Sequence, residues 1–426
     1  MTTLPTPMLS VPSYVTEVLD QLTRLGYAAY VVGGCVRDSL LGREPADWDV
    51  CTSATPEEML MVFRRFRVFK TGLKHGTLTV RSRGHSVEVT TFRTDGAYTD
   101  NRHPDAVAFV THVEDDLARR DFTINAMAYH PKQGLVDAFG GQQDLAERTL
   151  RCVGEPDVRF NEDGLRLLRA LRFAARFGLA IERETAYSIH RNRHLLENIS
   201  AERIFKELQG ILIAPAVGDM LTAFPSVFAT IMPELEPLLA AQRGEESLWA
   251  ATARTLCAAP AIFPLRLALL LHSLAEPAAA AKTILRRLKS DNATAHTVST
   301  LLAAAPEPLP AGRPAMRRLI GKLGQEAVEL LFAFRRAVLA ELPPCEAETE
   351  ERALRRALLL AEDTLAESPR AFTVGDLVIT GSDLMAAGVP AGPQMGRLLA
   401  ALLDEVQEER LENTRAALLH RAVELI

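Results

Sequence analysis

The spacing of apolar positions changes character about a third of the way along the chain. In the first part the period switches repeatedly. "YAAYVVGG" (27–34) is a continuous apolar run that predicts a buried strand, and "CVRDSLLG" (35–42) has the length of a short helix closed by Gly42. "DWDVCTS" (47–53) predicts a second strand, and "PEEMLMVFRRF" (56–66) a helix opened by Pro56. Alternation in "GTLTVRS" (76–82) and "HSVEVTTFR" (85–93) predicts further strands, and the polar, turn-rich "RTDGAYTDNRHPDAV" (93–107) a mobile loop. Beyond about residue 150 strand signals nearly vanish, and helical periodicity runs on between proline and glycine breaks. The most pronounced breaks are "AAPEPLPAGRP" (304–314) and "LPPCEAETEE" (342–351). The pattern predicts an α+β multidomain protein: one α/β head, then a long all-α remainder.

Composition adds bounds rather than a function. The 426 residues are 48% hydrophobic and 24% charged, ordinary for a soluble globular protein with several domains. Five cysteines, an odd number without a CxxC pair, suggest neither a disulfide framework nor a thiolate zinc site, and fit a reducing cytoplasm. The first residues lack the pattern of a signal peptide, and no apolar run reaches the length of a membrane span. A net charge of −6 excludes a uniformly basic nucleic-acid binder, yet arginines gather at 119–120 and from 166 to 203, which leaves room for a local anionic partner.

The chemistry concentrates in residues 31–56. Asp47 and Asp49, two apart on a strand, point to the same face and can share a hard cation such as Mg²⁺, while Trp48 and Val50 face the core. Gly33 and Gly34, between strand and helix, let backbone N–H groups approach a phosphate, with Arg37 one turn in to neutralise it. Each feature alone has a plainer reading as a tight turn or a solvated strand end. Glu88, between Val87 and Val89, becomes a third carboxylate of the same site if its strand neighbours the DWD strand.

With "EDDLARRDFTINAMAY" (114–129), "VDAFGGQQDL" (136–145) and "NEDGLRLLRALRFAARFG" (161–178) following in order, the chain closely resembles the bacterial class II tRNA nucleotidyltransferases, the CCA-adding enzymes, from the superfamily that also holds bacterial poly(A) polymerases. The resemblance implies a polymerase-β-like nucleotidyltransferase head (1–150), a helical neck that recognises the base (151–215), a body (216–345) and a tRNA-binding tail (346–426). It implies template-independent addition of C, C and A to tRNA from CTP and ATP, with Mg²⁺, in the cytoplasm; a homodimer is compatible with the chain. Carried over by position, Asp47 and Asp49 resemble metal ligands, Gly33, Gly34 and Arg37 triphosphate contacts, and Arg120 a nucleotide-binding arginine. Asp163 and Arg166 resemble the pair that reads the base, and Arg169 and Arg172 further nucleotide contacts.

Those roles have a physical basis. A carboxylate pair beside a phosphate loop suits a two-metal displacement with pyrophosphate as leaving group. Cytosine and adenine both place an exocyclic amine next to a ring acceptor, so Asp163 can accept from the first and Arg166 donate to the second; uracil and guanine reverse the pattern. On a helical projection Arg166, Arg169, Arg172 and Arg176 share one arc, and Leu167, Leu168, Leu171, Ala174 and Ala175 another.

Other features separate the subgroups. "FKTGLKHGT" (69–77) is similar to the CCA-adding branch, and retention of the 93–107 loop favours A addition, with Asp95, Asp100 and Arg102 as candidates for reshaping the pocket. His103 replaces the second of two arginines usual before Pro104. "RLALLLHSLAEP" (266–277) sits where many relatives carry a phosphohydrolase signature, but Ser273 and Glu276 replace its aspartate and lysine, so no such activity is expected. The alternatives are A-adding or CC-adding enzymes, a poly(A) polymerase, and an inactive tRNA-binding protein.

Overall fold

The computed structural model describes residues 8–96, 107–243, 246–367 and 371–425. The chain divides into two compact units, Met1–Pro233 and Glu234–Ile426, so the head and neck segments fold in one unit.

The first unit is built on a seven-stranded sheet. It opens with α1 (Ser13–Arg24), a helix additional to those expected, which buries Val15, Val18, Leu19 and Leu22 at the spacing of one helical face. There follow β1 (Ala29–Val32), α2 (Gly34–Leu40), β2 (Asp49–Thr52), α3 (Pro56–Val62), β3 (Arg67–Phe69), β4 (Thr77–Ser82) and β5 (His85–Thr91). Helix α3 starts with a reciprocal cap, in which Thr55 Oγ1 accepts from Glu58 N and Glu58 Oε2 accepts from Thr55 N. It stops at Val62, about a turn earlier than the periodicity predicts.

The stretch read as a wholly mobile loop begins and ends in structure: β6 (Arg93–Asp95) and β7 (Val107–Phe109) pair antiparallel, with Arg93 opposite Phe109. Then come α4 (Val113–Ala118), β8 (Ala128–His130) and β9 (Gly134–Val136). The sheet order is β3-β4-β5-β2-β1-β8-β9, and β2 with β5 is its one parallel pair among the described residues. That crossover matters because it sets the register: Asp49 stands opposite Glu88.

Helix α5 (Gly141–Ala146) and β10 (Thr149–Leu150) close the head, and the neck segment follows through α6 (Pro156–Glu162), α7 (Leu165–Phe177), β11 (Ala180–Ile181), α8 (Arg183–Asn192) and α9 (Ala201–Leu212). Helix α7 buries the expected Leu167, Leu168, Leu171, Ala174 and Ala175, together with Phe173 and Phe177. It is joined back to the head by the parallel pairing of β10 with β11 and by the Phe122 ring, which meets the Phe173 ring edge-on at 5.9 Å.

The second unit is almost entirely helical. Its prolines at 306, 308 and 310 lie between helices Asn292–Ala304 and Arg313–Leu323, and Pro344 occupies the first turn of the helix Pro344–Leu365, where a missing N–H costs nothing. Its cores gather Met316, Ile320, Phe332 and Leu354 in one cluster and Leu384, Leu402, Val406 and Leu418 in another. His272 is a well-partnered interior histidine, with Nδ1 2.6 Å from the Leu269 carbonyl and Nε2 2.9 Å from Glu341. Among the described residues no helix is long and apolar enough to cross a membrane.

Phe122 is fully buried where head and neck segments meet. Replacing it with alanine removes a large ring from a site with little room to collapse, so Phe122→Ala is expected to cost about 3–5 kcal/mol. Urea denaturation followed by circular dichroism checks this; an unchanged midpoint would refute the packing role.

Candidate active site

Strands β2 and β5, at the middle of the sheet, put three carboxylates on one of its faces. Asp49 opens β2, Asp47 lies two residues before it, and Glu88 faces Asp49 across the parallel pair. Trp48 and Val50 turn inward, as do Val87 and Val89, so alternation sends all three acids to the solvent side. Asp49 is open to solvent at its tip, yet dense protein surrounds it. Burial, then the neighbouring charge of Glu88, offset in part by Arg120 and reinforced by Asp47, pushes its pKa up to about 6. Crowded anionic charge of this kind is what a divalent cation relieves, and hard oxygen donors are what Mg²⁺ takes. Among the described residues no three metal-ligating side chains are gathered tightly enough to enclose an ion by themselves. The pair therefore fits a cation that completes its shell with substrate oxygens and water.

Beside the carboxylates runs the turn from β1 into α2. Gly33 has φ +79°, a conformation that calls for glycine, and its open side is faced by the tip of Arg120, whose Nη1 stands 2.7 Å from where a Cβ would be. Gly34 opens α2, whose first N–H groups have no acceptor within the helix. Arg120 is held by Asp116 at 3.3 Å, and its buried Nε has no hydrogen-bond partner among the described residues.

Arg37 lies beneath this turn and is only 5% exposed. Its Nη1 donates to Asn125 Oδ1 at 2.5 Å and its Nε to Asp38 at 2.9 Å, while its guanidinium sits over the rings of Phe173 and Phe177, 5.2 and 4.6 Å from their centroids. It is one turn into the helix, as the sequence places it, but its charge is spent on interior partners.

The neck residues are wired individually. Asp163, in the turn between α6 and α7, accepts from Leu165 N at 3.0 Å and from Arg203 at 2.7 Å. Gly164 allows that turn to pack, since a Cβ would come within 3.1 Å of Leu195. Arg166 donates to Glu162 and to the carbonyls of Arg159 and Arg119, which leaves its Nε–H and one Nη2 proton for another acceptor. Arg169 makes a two-pronged contact with Asp121, at 2.9 and 2.6 Å, and Arg172 reaches Glu207 at 2.5 Å. Asp121 also accepts from Phe122 N and Asn125, and although burial opposes ionisation, Arg169 and these donors hold its pKa down at about 2.

The structure thus gathers Asp47, Asp49, Glu88, Gly33, Gly34 and Arg120 around the central strands β1, β2 and β5, and Asp163, Arg166, Arg169 and Arg172 along or just before α7. Asp100 and Arg102 lie outside the described residues; Asp95 ends β6, and its side chain is not described. Sequence reasoning missed Asp121, Asn125, Phe173, Arg203 and Glu207. Asp121 and Asn125 were within sight, four residues apart inside the RRDFTIN segment, but no spacing rule says that a short turn will aim both inward.

Comparisons with known proteins identify the family. Residues 29–151 match the family described as the Poly A polymerase head domain, residues 178–239 that of an RNA and SrmB-binding site of polymerase A, and residues 265–422 that of tRNA nucleotidyltransferase domain 2. The CCA-adding enzyme of Geobacillus thermodenitrificans is 37% identical over 403 residues, 93% of each chain. That of Lactobacillus delbrueckii subsp. bulgaricus is 36% identical over 94% of this chain and 95% of its own. The Bacillus stearothermophilus CCA-adding enzyme, solved in complex with CTP, superposes with a TM-score of 0.73 at 31% identity, covering 97% of this chain and 96% of that one. The Thermotoga maritima CCA-adding enzyme complexed with tRNA shares the fold at a TM-score of 0.61 and 20% identity, over 96% and 94% of the two chains. With more than a third of its residues identical over nearly its whole length, this chain belongs to the CCA-adding enzymes.

Proposed function

We propose that the protein adds C, C and A in turn to the 3′ end of tRNA from CTP and ATP, without a nucleic-acid template, releasing pyrophosphate. The observation that carries this reading is the β2–β5 register, which sets Asp49 opposite Glu88 beside the glycine turn and Arg120. The family generally uses a divalent metal, and we assign Mg²⁺, with Asp47 and Asp49 as its protein ligands; when bound it supplies charge neutralisation for the triphosphate and activation of the attacking hydroxyl. The chain's own residues supply the rest. The turn at Gly33 and Gly34 receives the triphosphate, Arg120 balances its charge, and Glu88 raises the negative potential that favours a cation at Asp49.

Base choice falls to α7. The Asp163 carboxylate accepts from an exocyclic amine and the uncommitted Arg166 protons donate to the adjacent ring nitrogen, a pattern met by cytosine and adenine. Arg203 and Glu162 hold these two side chains in place, and Arg169 and Arg172 line the same helix. The tail and body are assigned to tRNA binding, the compartment to the cytoplasm.

Purified protein offered tRNAs lacking three, two or one terminal nucleotides, with CTP, ATP or both, is expected to restore the full CCA end; addition of two residues only, or long A tails on any RNA, would overturn the reading.

Two variants and a pH series on the wild type sharpen it. Arg166→Ala is expected to relax discrimination between CTP and UTP by roughly tenfold, since each mismatched polar contact costs about 1–3 kcal/mol. Asp49→Asn is expected to abolish incorporation yet raise Tm in chelator at pH 7. A carboxyl whose folded pKa is raised makes the fold less stable as pH climbs from the unfolded value to about 6, and an amide escapes that cost. In the wild type the proton competes with the cation at Asp49, so the Mg²⁺ concentration giving half-maximal rate is expected to rise as pH falls below about 6. A pH-independent metal requirement would count against Asp49 as ligand.

A further inference from the structure

Among the described residues of the site, Arg37 is the arginine that touches both the phosphate turn and the base-reading helix. Its backbone N–H donates to the Gly33 carbonyl at 3.1 Å, and its Nη2 is the atom nearest to where a Cβ on Gly34 would stand. At its other end Phe173 and Phe177, one turn apart on α7, present their ring faces to its guanidinium, and Asn125 accepts from Nη1 while donating through Nδ2 to Asp121 at 3.1 Å. Asp121 in turn holds Arg169, whose guanidinium lies 5.3 Å from the same Phe173 ring. The contacts form a closed ring from Arg37 through Asn125, Asp121, Arg169 and Phe173 back to Arg37, with Gly33 attached to it through the Arg37 N–H.

We propose that Arg37 is a positioning residue, a joint that couples triphosphate placement at Gly33–Gly34 to base selection on α7 through Asn125 and the Phe173–Phe177 pair. A stacked guanidinium keeps its place only while both rings keep theirs, so a shift of α7 against an ill-fitting base is passed to the turn that holds the phosphates. The coupling deepens the proposed reading and rests on α7 as the base reader. Phe177 is the cleaner handle, because the other guanidiniums over Phe173 belong to Arg169 and Arg172, assigned to the nucleotide, whereas those over Phe177 belong to Arg43 and Arg176, which have no assigned role.

The test measures kcat/KM for CTP and for UTP on tRNA awaiting its first C, in wild type, Phe177→Leu, Phe177→Tyr and Arg37→Lys, with melting curves for each. Phe177→Leu and Arg37→Lys are expected to lower the CTP over UTP ratio about three- to tenfold, the size of a partly desolvated cation–π contact, and the tyrosine variant to restore it. A purely structural loss would lower both rates together; an unchanged ratio, or a tyrosine variant as impaired as the leucine one, overturns the proposal. If Phe177→Leu does not fold, Arg37→Lys and Asn125→Ala carry the same comparison. Arg166→Ala run alongside separates the two failures. If it leaves the ratio intact, α7 does not read the base; if it relaxes the ratio while the joint variants do not, only the coupling falls.

Discussion

The ion pair between Asp121 and Arg169 is the constraint on which the rest of the site depends. Asp121 is the aspartate of the RRD segment and Arg169 comes from α7, 48 residues later, and the two meet in a setting where an isolated carboxylate would be costly. The two-pronged guanidinium contact, the Phe122 N–H and the Asn125 amide satisfy it, and its ionised form is stabilised accordingly. Removing either partner would leave a buried charge unpaired, a far larger penalty than the net worth of the pair. Head and neck segments are thus locked by a contact whose directionality also fixes the rotation of α7, and with it where Arg166 and Arg172 emerge.

Two aspartates in the same unit are driven in opposite directions. Asp121, surrounded by donors, is held ionised far below neutral pH; Asp49, faced by Glu88 and Asp47 with only Arg120 in relief, takes up a proton near pH 6. The first is complete within the protein and acts as structure. The second is incomplete without an added positive charge, which is the property expected of a ligand rather than a strut.

The sequence carries a good deal of this. Alternation in HSVEVTT and DWDV sends Asp47, Asp49 and Glu88 to one side, and the glycine turn reads correctly from its place between strand and helix. Whether β5 neighbours β2 could only be posed as a condition, because strand order is a long-range property and the crossover passes through α3, β3 and β4 first. Arg37 was legible as a charge near the turn but not as one facing inward, since the two phenylalanines that cover it lie 136 and 140 residues away. Helical spacing likewise grouped four arginines into a single basic arc. It could not reveal that Glu162, Asp121 and Glu207 each claim one of them, because those acids come from three different elements.

That last arrangement has a consequence for how the pocket meets its surroundings. A helix bearing bare arginines would act as a trap for any polyanion, drawing RNA backbones by releasing their condensed counterions. Here each of the three arginines arrives already paired with a carboxylate, so an incoming base meets the protons those pairs leave over and gains little from charge alone. Affinity at such a site depends weakly on ionic strength and strongly on the fit of donors to acceptors.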